Sequence, residues 1–578
     1  MGLKPGFRNL LVLSIVFGSQ LLTAAPKLRL SQTTVGPVPV ATNGTGTASV
    51  DASNAGDGNL NLQLTSSVTW LVPTAGTPRE CAAFLTCTPI NIDIRPGTLA
   101  AGLYTGVITI SDPNAVDAPQ TVTVTVSVGG TVPQRADFYL PTTGGSQTIS
   151  FNGIAPLQTS VTTQNNVQWL AVNAESFGSF RFGVTIPFRM TASTSGLGEG
   201  TYNGQITVAG STIAGENRAV PVTMRITSSP IADLSAERLD FRGAPNGPKL
   251  VQNLVLSNRG SGNLTVSGVT ATTSTGGSWL TAERVANTNI VTVTANATGL
   301  AAGTYDGSLA VASNAVQGAI TVPVRLQVIA AGAPVLSYGG VINNGVGDSD
   351  YLGQGTIAAL FGEQILSGDP VAATSLPLGT DLGGVKVFVN DTPAPVYYAS
   401  YGQVNFQVPY NAPTGDVTIR VERGGTASNR ISTRVVRGAP RLLRLGIGDY
   451  GIVVNQDGSF PIVPIAGLNS RRARPGDTLV MYAIGVGPTN PAVASGVGSP
   501  ASPLARGVGN FRVTFGFAGP FGGNSVEVTP FFVGLTPNFV GLYQINVTIP
   551  AETPRGDNVA VALSGDDGVS NRVTIAIE

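Results

Sequence analysis

Short runs in which apolar and polar residues alternate recur along the whole chain. Three of them are Thr121–Val128, Val220–Ile226 and Thr321–Val328, with an apolar residue at every second position and mostly Thr, Arg or Gln between. This alternation is typical of strands in a sheet with one buried and one solvent-facing side. The pattern therefore predicts an all-β chain in which the three runs close three equivalent units.

A motif of glycine and tyrosine marks the same three units, and each copy follows a Trp-Leu pair. The spacing Leu-x-x-Gly-x-Tyr-x-Gly begins at Leu99, Leu197 and Leu300. The copies lie about 100 residues apart, which is the size of a complete sandwich domain. We predict immunoglobulin-like repeats over 26–130, 131–228 and 229–331, and the residues predicted to lie in their cores are Trp70, Trp169, Trp279, Tyr104, Tyr202 and Tyr305. The tyrosines resemble the tyrosine corner of immunoglobulin-like sandwiches, in which the phenol bonds to nearby backbone.

A second duplication occupies the rest of the chain. The strand pattern Gln403-Val-Asn405-Phe-Gln-Val-Pro recurs as Gln544-Ile-Asn546-Val-Thr-Ile-Pro, and each copy is followed by Pro-x-Gly-Asp. This recurrence predicts two related sandwich modules, over 332–438 and 439–578.

Both halves resemble known families. On their Trp-Leu pairs and glycine-tyrosine strands, the three repeats resemble BACON-type immunoglobulin-like domains, a family named for a presumed carbohydrate-binding role. On the Gln403 and Gln544 strands and the Pro475-Gly-Asp segment, the second half resembles an uncharacterised C-terminal domain family described from Solibacter and other acidobacteria. The modules are also similar to TIG-type immunoglobulin-like domains. The resemblance implies secretion and tandem sandwiches, but no activity.

The N-terminus predicts export. Lys4 and Arg8 precede the apolar stretch Leu10–Leu22 and small residues, which is the pattern of a secretory signal peptide over 1–25. A signal anchor or a buried strand is the alternative, and no later apolar run is long enough to span a bilayer. We therefore expect an extracellular or cell-surface protein.

The low charge narrows the range of expected partners, and the two cysteines predict a disulfide. Net charge is zero and 11% of residues are charged, so no overall field attracts nucleic acid or an anionic membrane. Cys81 and Cys87, the two cysteines of the chain, are expected to form a disulfide after export, with free thiols as the alternative. Closing so short a loop stabilises the fold by about 2 kcal/mol.

Catalytic chemistry has little support in the sequence. The chain contains no histidine, which excludes Ser-His-Asp and Cys-His catalysis and histidine-ligated zinc. We predict no catalytic residue, no cofactor and no metal site. Two carboxylates meeting in a cleft would still permit glycoside hydrolysis. The acidic turns at Asp112–Asp117, Asp348–Asp350 and Asp566–Asp567 allow a calcium interpretation, although solvated turns explain them better.

One cluster of residues is a tentative ligand surface. Tyrosines flank the Gln403 strand, in which alternate amides are expected to face one way and could bond to sugar hydroxyls. The opposing observation is that Gln544 and Asn546 recur in the second module without the tyrosines, which favours a structural role. The surface is defined by Tyr397, Tyr398, Tyr401, Gln403 and Asn405, with Tyr410 and Gln407 beside it.

A basic stretch offers a second candidate surface. Arginine forks onto carboxylate or phosphate, so an acidic polysaccharide or an envelope lipid would be a fitting partner. The alternative is the solvent-facing side of edge strands, where charge discourages association between edges. The residues are Arg420, Arg423, Arg430, Arg434, Arg437, Arg441 and Arg444, with Arg471, Arg472 and Arg474 further along.

Together these patterns predict an elongated array of five immunoglobulin-like sandwiches, exported and non-enzymatic, that acts as a scaffold or adhesion component. An extracellular carbohydrate-binding protein is the alternative function, and a glycoside hydrolase is a distant third. The expected partners are polysaccharide or cell-envelope components, and no nucleic acid.

Overall fold

The chain is almost entirely β structure. Within the described part, the strands form packed sheets and the apolar side chains gather into five separate cores. The predicted fold class, a tandem array of immunoglobulin-like β-sandwiches, is confirmed. The structure, a computed structural model, describes residues 25–578 apart from 83–84, 155–156, 175–184, 195, 212, 276, 349–350, 466 and 518–522. The predicted signal peptide lies outside the described residues except for Ala25.

In the part of the first domain that the structure describes there are nine strands. They are β1 Leu28–Leu30, β2 Thr34–Val40, β3 Gly46–Asn54, β4 Gln63–Ser66, β5 Leu71–Ala75, β6 Arg79–Ala82, β7 Leu85–Ile94, β8 Gly102–Ser111 and β9 Gln120–Val128. One sheet has the order β1-β3-β7-β5, with β6 also paired to β7, and the other has the order β2-β9-β8-β4. In β9 the alternation works as expected, because Val122, Val124 and Val126 are buried.

The described residues of the second domain form seven strands and two short 3-10 turns, Gln164–Asn166 and Ala214–Glu216. Its strands are β10 Ala136–Pro141, β11 Ser146–Ile154, β12 Gln158–Thr163, β13 Leu170–Ala174, β14 Thr185–Ser193, β15 Gly200–Ala209 and β16 Ala219–Thr227. The sheet orders are β10-β16-β15-β12 and β11-β14-β13.

The third domain repeats this plan. Its strands are β17 Ala232–Leu234, β18 Leu239–Gly243, β19 Leu250–Asn258, β20 Val266–Thr273, β21 Leu280–Arg284, β22 Ile290–Ala295, β23 Gly303–Ser313 and β24 Ile320–Val328. The sheet orders are β17-β19-β22-β21 and β18-β24-β23-β20. In all three domains the last strand pairs in parallel with an early strand and antiparallel with the strand that carries the motif tyrosine.

The fourth domain has eleven strands among its described residues. They are β25 Val335–Asn343, β26 Leu352–Gly353, β27 Ile357–Glu363, β28 Val371–Ala372, β29 Val385–Val389, β30 Thr392–Ala394, β31 Val396–Ala399, β32 Gln403–Gln407, β33 Gly415–Arg423, β34 Thr426–Ala427 and β35 Ile431–Val436. One sheet has the order β25-β27-β32-β31-β28, and the other has the order β26-β35-β33-β29-β30, with β34 on β33.

The fifth domain is larger. Its strands are β36 Arg441–Leu442, β37 Val453–Asn455, β38 Phe460–Pro461, β39 Ser470–Arg471, β40 Thr478–Ile484, β41 Thr489–Asn490, β42 Arg506–Gly507, β43 Arg512–Gly516, β44 Ser525–Val528, β45 Phe532–Leu535, β46 Leu542–Thr548, β47 Gly556–Gly565, β48 Gly568–Val569 and β49 Val573–Ile577. The main sheets run β36-β40-β46-β45-β42-β41, with β37 on β40, and β44-β43-β47-β48, with β49 on β47, and β38 pairs with β39.

The register of these two domains agrees with the duplication in the sequence. In the fourth domain Gln403 lies opposite Phe361, and in the fifth Gln544 lies opposite Tyr482. The two copies of the glutamine strand therefore occupy the same place in their sheets.

The glycine that follows each motif tyrosine makes room for the Trp-Leu pair. A Cβ atom added at Gly307 would lie 3.3 Å from the Trp279 ring and 3.1 Å from Leu280. Trp169 and Trp279 are buried, whereas Trp70 is half-buried and packs against its domain core. A residue larger than glycine at this position would therefore obstruct the packing of the Trp-Leu pair.

The motif tyrosines have equivalent hydrogen bonds in the three domains. Each phenol donates to the carbonyl oxygen four residues earlier, at 3.0 Å for Tyr104, 3.0 Å for Tyr202 and 2.9 Å for Tyr305. The bond ties the start of the strand to the turn before it, as the tyrosine corner does.

The first domain also contacts the fourth. The carboxylate of Asp117, at φ +63°, is fully buried. It accepts hydrogen bonds from Arg29 at 2.5 Å and, across the domain boundary, from the Ser432 amide at 2.5 Å and hydroxyl at 2.7 Å. Lys27 pairs with Asp416 at 3.3 Å beside this contact. The array therefore returns on itself between its first and fourth members.

Candidate functional site

The tentative ligand surface lies on the β31–β32 hairpin of the fourth domain. Tyr398 is paired with Asn405 across the hairpin, after a register irregularity between Val396 and Tyr398. Tyr397, Tyr398, Gln403 and Asn405 line a shallow depression of about 490 Å³, together with Asn344 and Ile357. The sequence therefore brings four of its five predicted surface residues to one place.

The two amides of the depression are bonded to each other. Gln403 Nε2 donates to Asn405 Oδ1 at 2.7 Å, and the equivalent bond from Gln544 to Asn546 in the fifth domain is 2.8 Å. The shared bond is a feature of the duplicated strand and fixes both side chains. Among the described residues, the side-chain oxygen Oε1 of Gln403 and the side-chain amino group of Asn405 have no further hydrogen-bond partner, so they remain able to bind a hydroxyl.

Two of the flanking tyrosines contact the fifth domain. The Tyr397 phenol donates to the Val540 carbonyl oxygen at 2.7 Å, and the Tyr410 and Tyr543 hydroxyls lie 3.2 Å apart. Burial raises the pKa of Tyr397 and of Tyr410 to about 12. These phenols thus remain neutral and hold two domains together.

Tyr401 is not part of the open surface. Its side chain is 7% exposed, and its hydroxyl has no hydrogen-bond partner within the described part of the chain. Burial, with a further contribution from the charge of Glu363, raises its pKa to about 12. A ligand in the depression would not reach this ring, which corrects the sequence-based grouping.

Gln407 was expected to extend the row of amides, but it is 1% exposed. Its amide donates to the Gly355 carbonyl oxygen at 3.2 Å and accepts from the Gly496 amide of the fifth domain at 2.6 Å. The neighbouring domain covers this end of the strand.

The predicted basic stretch is largely neutralised by ion pairs. Arg420 also lies over the Phe388 ring, with its guanidinium carbon 3.8 Å from the ring centroid, and Arg423 donates to backbone carbonyls. Arg430 has no ion pair in the described part. The pairs are Arg420–Glu422, Arg434–Asp416, Arg437–Asp567, Arg441–Asp348, Arg444–Asp449, Arg471–Asp457, Arg471–Asp477, Arg472–Asp557 and Arg474–Glu578. This arrangement favours the edge-strand interpretation over an anion-binding surface.

The acidic turns bind their own backbone and neighbouring side chains. Asp112 accepts from the amides of Asn61 at 2.6 Å and Asn114 at 2.9 Å, and Asp566 accepts from the Asn510 amide at 3.1 Å. Asp350 lies outside the described residues. Within the described ranges, no group of three or more acidic or thiol side chains is placed to bind a metal ion.

Cys81 and Cys87 are joined in a disulfide, with their Cα atoms 5.7 Å apart. The bond closes the β6–β7 hairpin.

Of the helices in the described residues, none has the length and apolar character needed to cross a bilayer.

No family model and no curated protein matches the chain. An endo-fucoidan hydrolase of glycoside hydrolase family 107 aligns at 12% identity and a TM-score of 0.17, over 53% of this chain and 45%, less than half, of the hydrolase. An I-band fragment of titin aligns at 8% identity and a TM-score of 0.15, over 53% of this chain and 99% of the fragment.

The extracellular cadherin domains 1–5 of protocadherin gamma B2 align at 12% identity and a TM-score of 0.14, over 90% of this chain and 94% of that one. TM-scores this low carry no argument about function, which is inferred below from the residues of this chain.

Proposed function

We propose that the protein is an exported, non-enzymatic scaffold or adhesion component of the cell surface or extracellular matrix. The observation that carries this proposal is that several buried polar groups form hydrogen bonds between domains. The carboxylate of Asp117, the phenols of Tyr397 and Tyr410 and the amide of Gln407 all join one domain to another. Groups that an enzyme would present to a substrate instead fix the domain arrangement.

Export is supported by the N-terminal pattern and by the disulfide. Disulfides persist in oxidising compartments and are rare in the cytosol of most cells. The disulfide between Cys81 and Cys87 therefore fits a protein that folds after translocation.

Fractionation of cells that express the full chain tests this proposal. We expect the protein outside the cytosol, with a mature N-terminus near residue 26, and bound to isolated cell envelopes. A cytosolic protein that keeps residues 1–25 would refute export. Release of reducing ends from a panel of polysaccharides by the purified protein would refute the non-enzymatic role.

A carbohydrate-binding role is the second candidate, and it is supported by the open depression on the fourth domain. Half-buried Tyr398 offers a ring face beside the two bonded amides, and aromatic faces with fixed polar groups are typical of ligand sites. A glycan array with the Tyr398→Ala and Asn405→Ala variants tests this role, and Asn546→Ala is the matched control in the duplicate strand. If Asn546→Ala weakens glycan binding as strongly as Asn405→Ala does, the depression is excluded as the binding site. An array on which no glycan binds would exclude it as well.

A further inference from the structure

The fifth domain contains a small groove that sequence patterns did not indicate. Two connections lie side by side there, one from β42 to β43 and one from β44 to β45. The groove has a volume of about 260 Å³, and the residues that matter for its chemistry are Arg506, Asn510, Phe511, Arg512, Thr529 and Phe531.

An exposed aromatic ring lies at this groove. Phe531 is 57% exposed, whereas the adjacent Phe532 is buried. Phe511, which is half-buried, packs against the domain core and also lines the groove. A single exposed phenylalanine does not by itself indicate a binding site, but this ring lies beside two arginines, Arg506 and Arg512.

Arg506 and Arg512 are both exposed, and neither forms an ion pair with any described residue. Arg506 lies over the Phe532 ring at 5.0 Å and donates to the Phe531 carbonyl oxygen at 3.4 Å. Arg512 donates to the Thr529 hydroxyl. Each guanidinium is therefore oriented by neutral groups while most of its five N–H donors stay available.

Among the described residues, the two nearby carboxylates bond to neutral groups and pair with neither arginine of the groove. Asp566 accepts from the amide and side chain of Asn510. Glu527 lies opposite Thr514, two residue pairs along the β43–β44 hairpin from Arg512, and its carboxylate is 3.5 Å from the Thr514 hydroxyl. The predicted basic stretch differs, since eight of its ten arginines have acidic partners and only Arg423 and Arg430 form no ion pair with a described residue.

We propose that this groove binds an acidic polysaccharide by holding one sugar residue of the polymer. Guanidinium forks bind carboxylate or sulfate with two parallel hydrogen bonds, and the C–H edges of a pyranose ring pack against the negative face of a phenyl ring. The volume is below the roughly 300–1,000 Å³ of pockets that enclose a drug-sized ligand, so it suits one unit of a longer chain. The site is independent of whether the protein is a scaffold.

Affinity electrophoresis of the chain from residue 26 tests the proposal, with polygalacturonate, dextran sulfate and neutral dextran in the gel. We expect retardation by one or both anionic polymers and none by dextran. Retardation by polygalacturonate assigns the anion as a uronate, and retardation by dextran sulfate alone assigns it as a sulfate ester. No retardation by either polymer, or equal retardation by dextran, would overturn the proposal.

Variants locate the binding site. Arg506→Gln with Arg512→Gln should weaken binding about tenfold, and Phe531→Ala about threefold, because each removes one class of contact. The matched controls are Arg434→Gln with Arg444→Gln, which remove the same charge, and Phe539→Ala, an equally exposed phenylalanine (54%).

Controls that weaken binding as much as the groove variants would mean unspecific attraction and would refute the site. If poly-glutamate binds equally well, the partner would be an acidic protein and not a glycan. Unchanged thermal melting of each variant shows that the fold is intact.

Discussion

The contact between the first and fourth domains depends on one buried carboxylate, and Asp117→Asn tests it. Asparagine has the same shape and tolerates the left-handed backbone at φ +63°. It removes the negative charge and replaces Oδ2, which accepts from both Arg29 and the Ser432 hydroxyl. Oδ1 still accepts from the Ser432 amide.

The size of the effect follows from these bonds. A hydrogen bond to a charged group contributes about 1.5–3 kcal/mol, against about 1 kcal/mol for a neutral one. Arg29 belongs to the first domain, so the two bonds from Ser432 are the ones that count toward the contact. The amide bond keeps a neutral acceptor, so the lower values apply. We therefore expect the contact to weaken by about 2 kcal/mol, which is roughly a 30-fold rise in the population of its open form.

Amide hydrogen exchange at Ser432 measures this opening, because its N–H donates to Asp117 across the boundary. Asp416→Asn is the control, since Asp416 is 63% exposed and bonds to Lys27 in the same contact. An exposed pair contributes about 0.2–1 kcal/mol, so exchange should rise by no more than about fivefold. Equal exchange rates in both variants would refute the role given to Asp117.

Two further predictions concern packing and pH. Gly307→Ala places a Cβ atom 2.7 Å from the Thr272 carbonyl oxygen and should destabilise the third domain by about 1–3 kcal/mol in calorimetry, whereas Gly268→Ala, with open space around it, should not. Since burial raises the pKa of Tyr397 and Tyr410 from the usual value of about 10 to about 12, their stabilising contribution is complete below pH 10 and is lost as pH rises towards 12. Ultraviolet titration should find late-ionising phenols, one fewer in Tyr410→Phe, and a normal titration would contradict this.

Local patterns predicted the β-sandwiches because alternation and the glycine-tyrosine motif act within one domain. The glycine after Tyr305 is explained by the indole of Trp279, and both were visible as a repeat in the sequence. The resemblance to BACON-type and acidobacterial families stays a prediction, since no family model matches.

Contacts between distant domains could not be predicted in the same way. Asp117 and Ser432 are 315 residues apart, and Asp117 was interpreted as part of a solvated turn. Gln407 follows the alternation of its strand, yet another domain covers it. In the groove of the fifth domain, Arg506 lies in β42 and Phe531 in the connection from β44 to β45, so no single segment contains the pattern.

The bond between Asp117 and Ser432 has a mechanical consequence for a chain anchored at both ends. Tension that enters at the N-terminus and leaves through the last domain can cross directly from the first domain to the fourth. The second and third domains then lie in a loop that bears load only after the whole contact between the first and fourth domains breaks. Rupture at low force would release their combined length without unfolding either, so the protein would lengthen under strain before any sandwich opened.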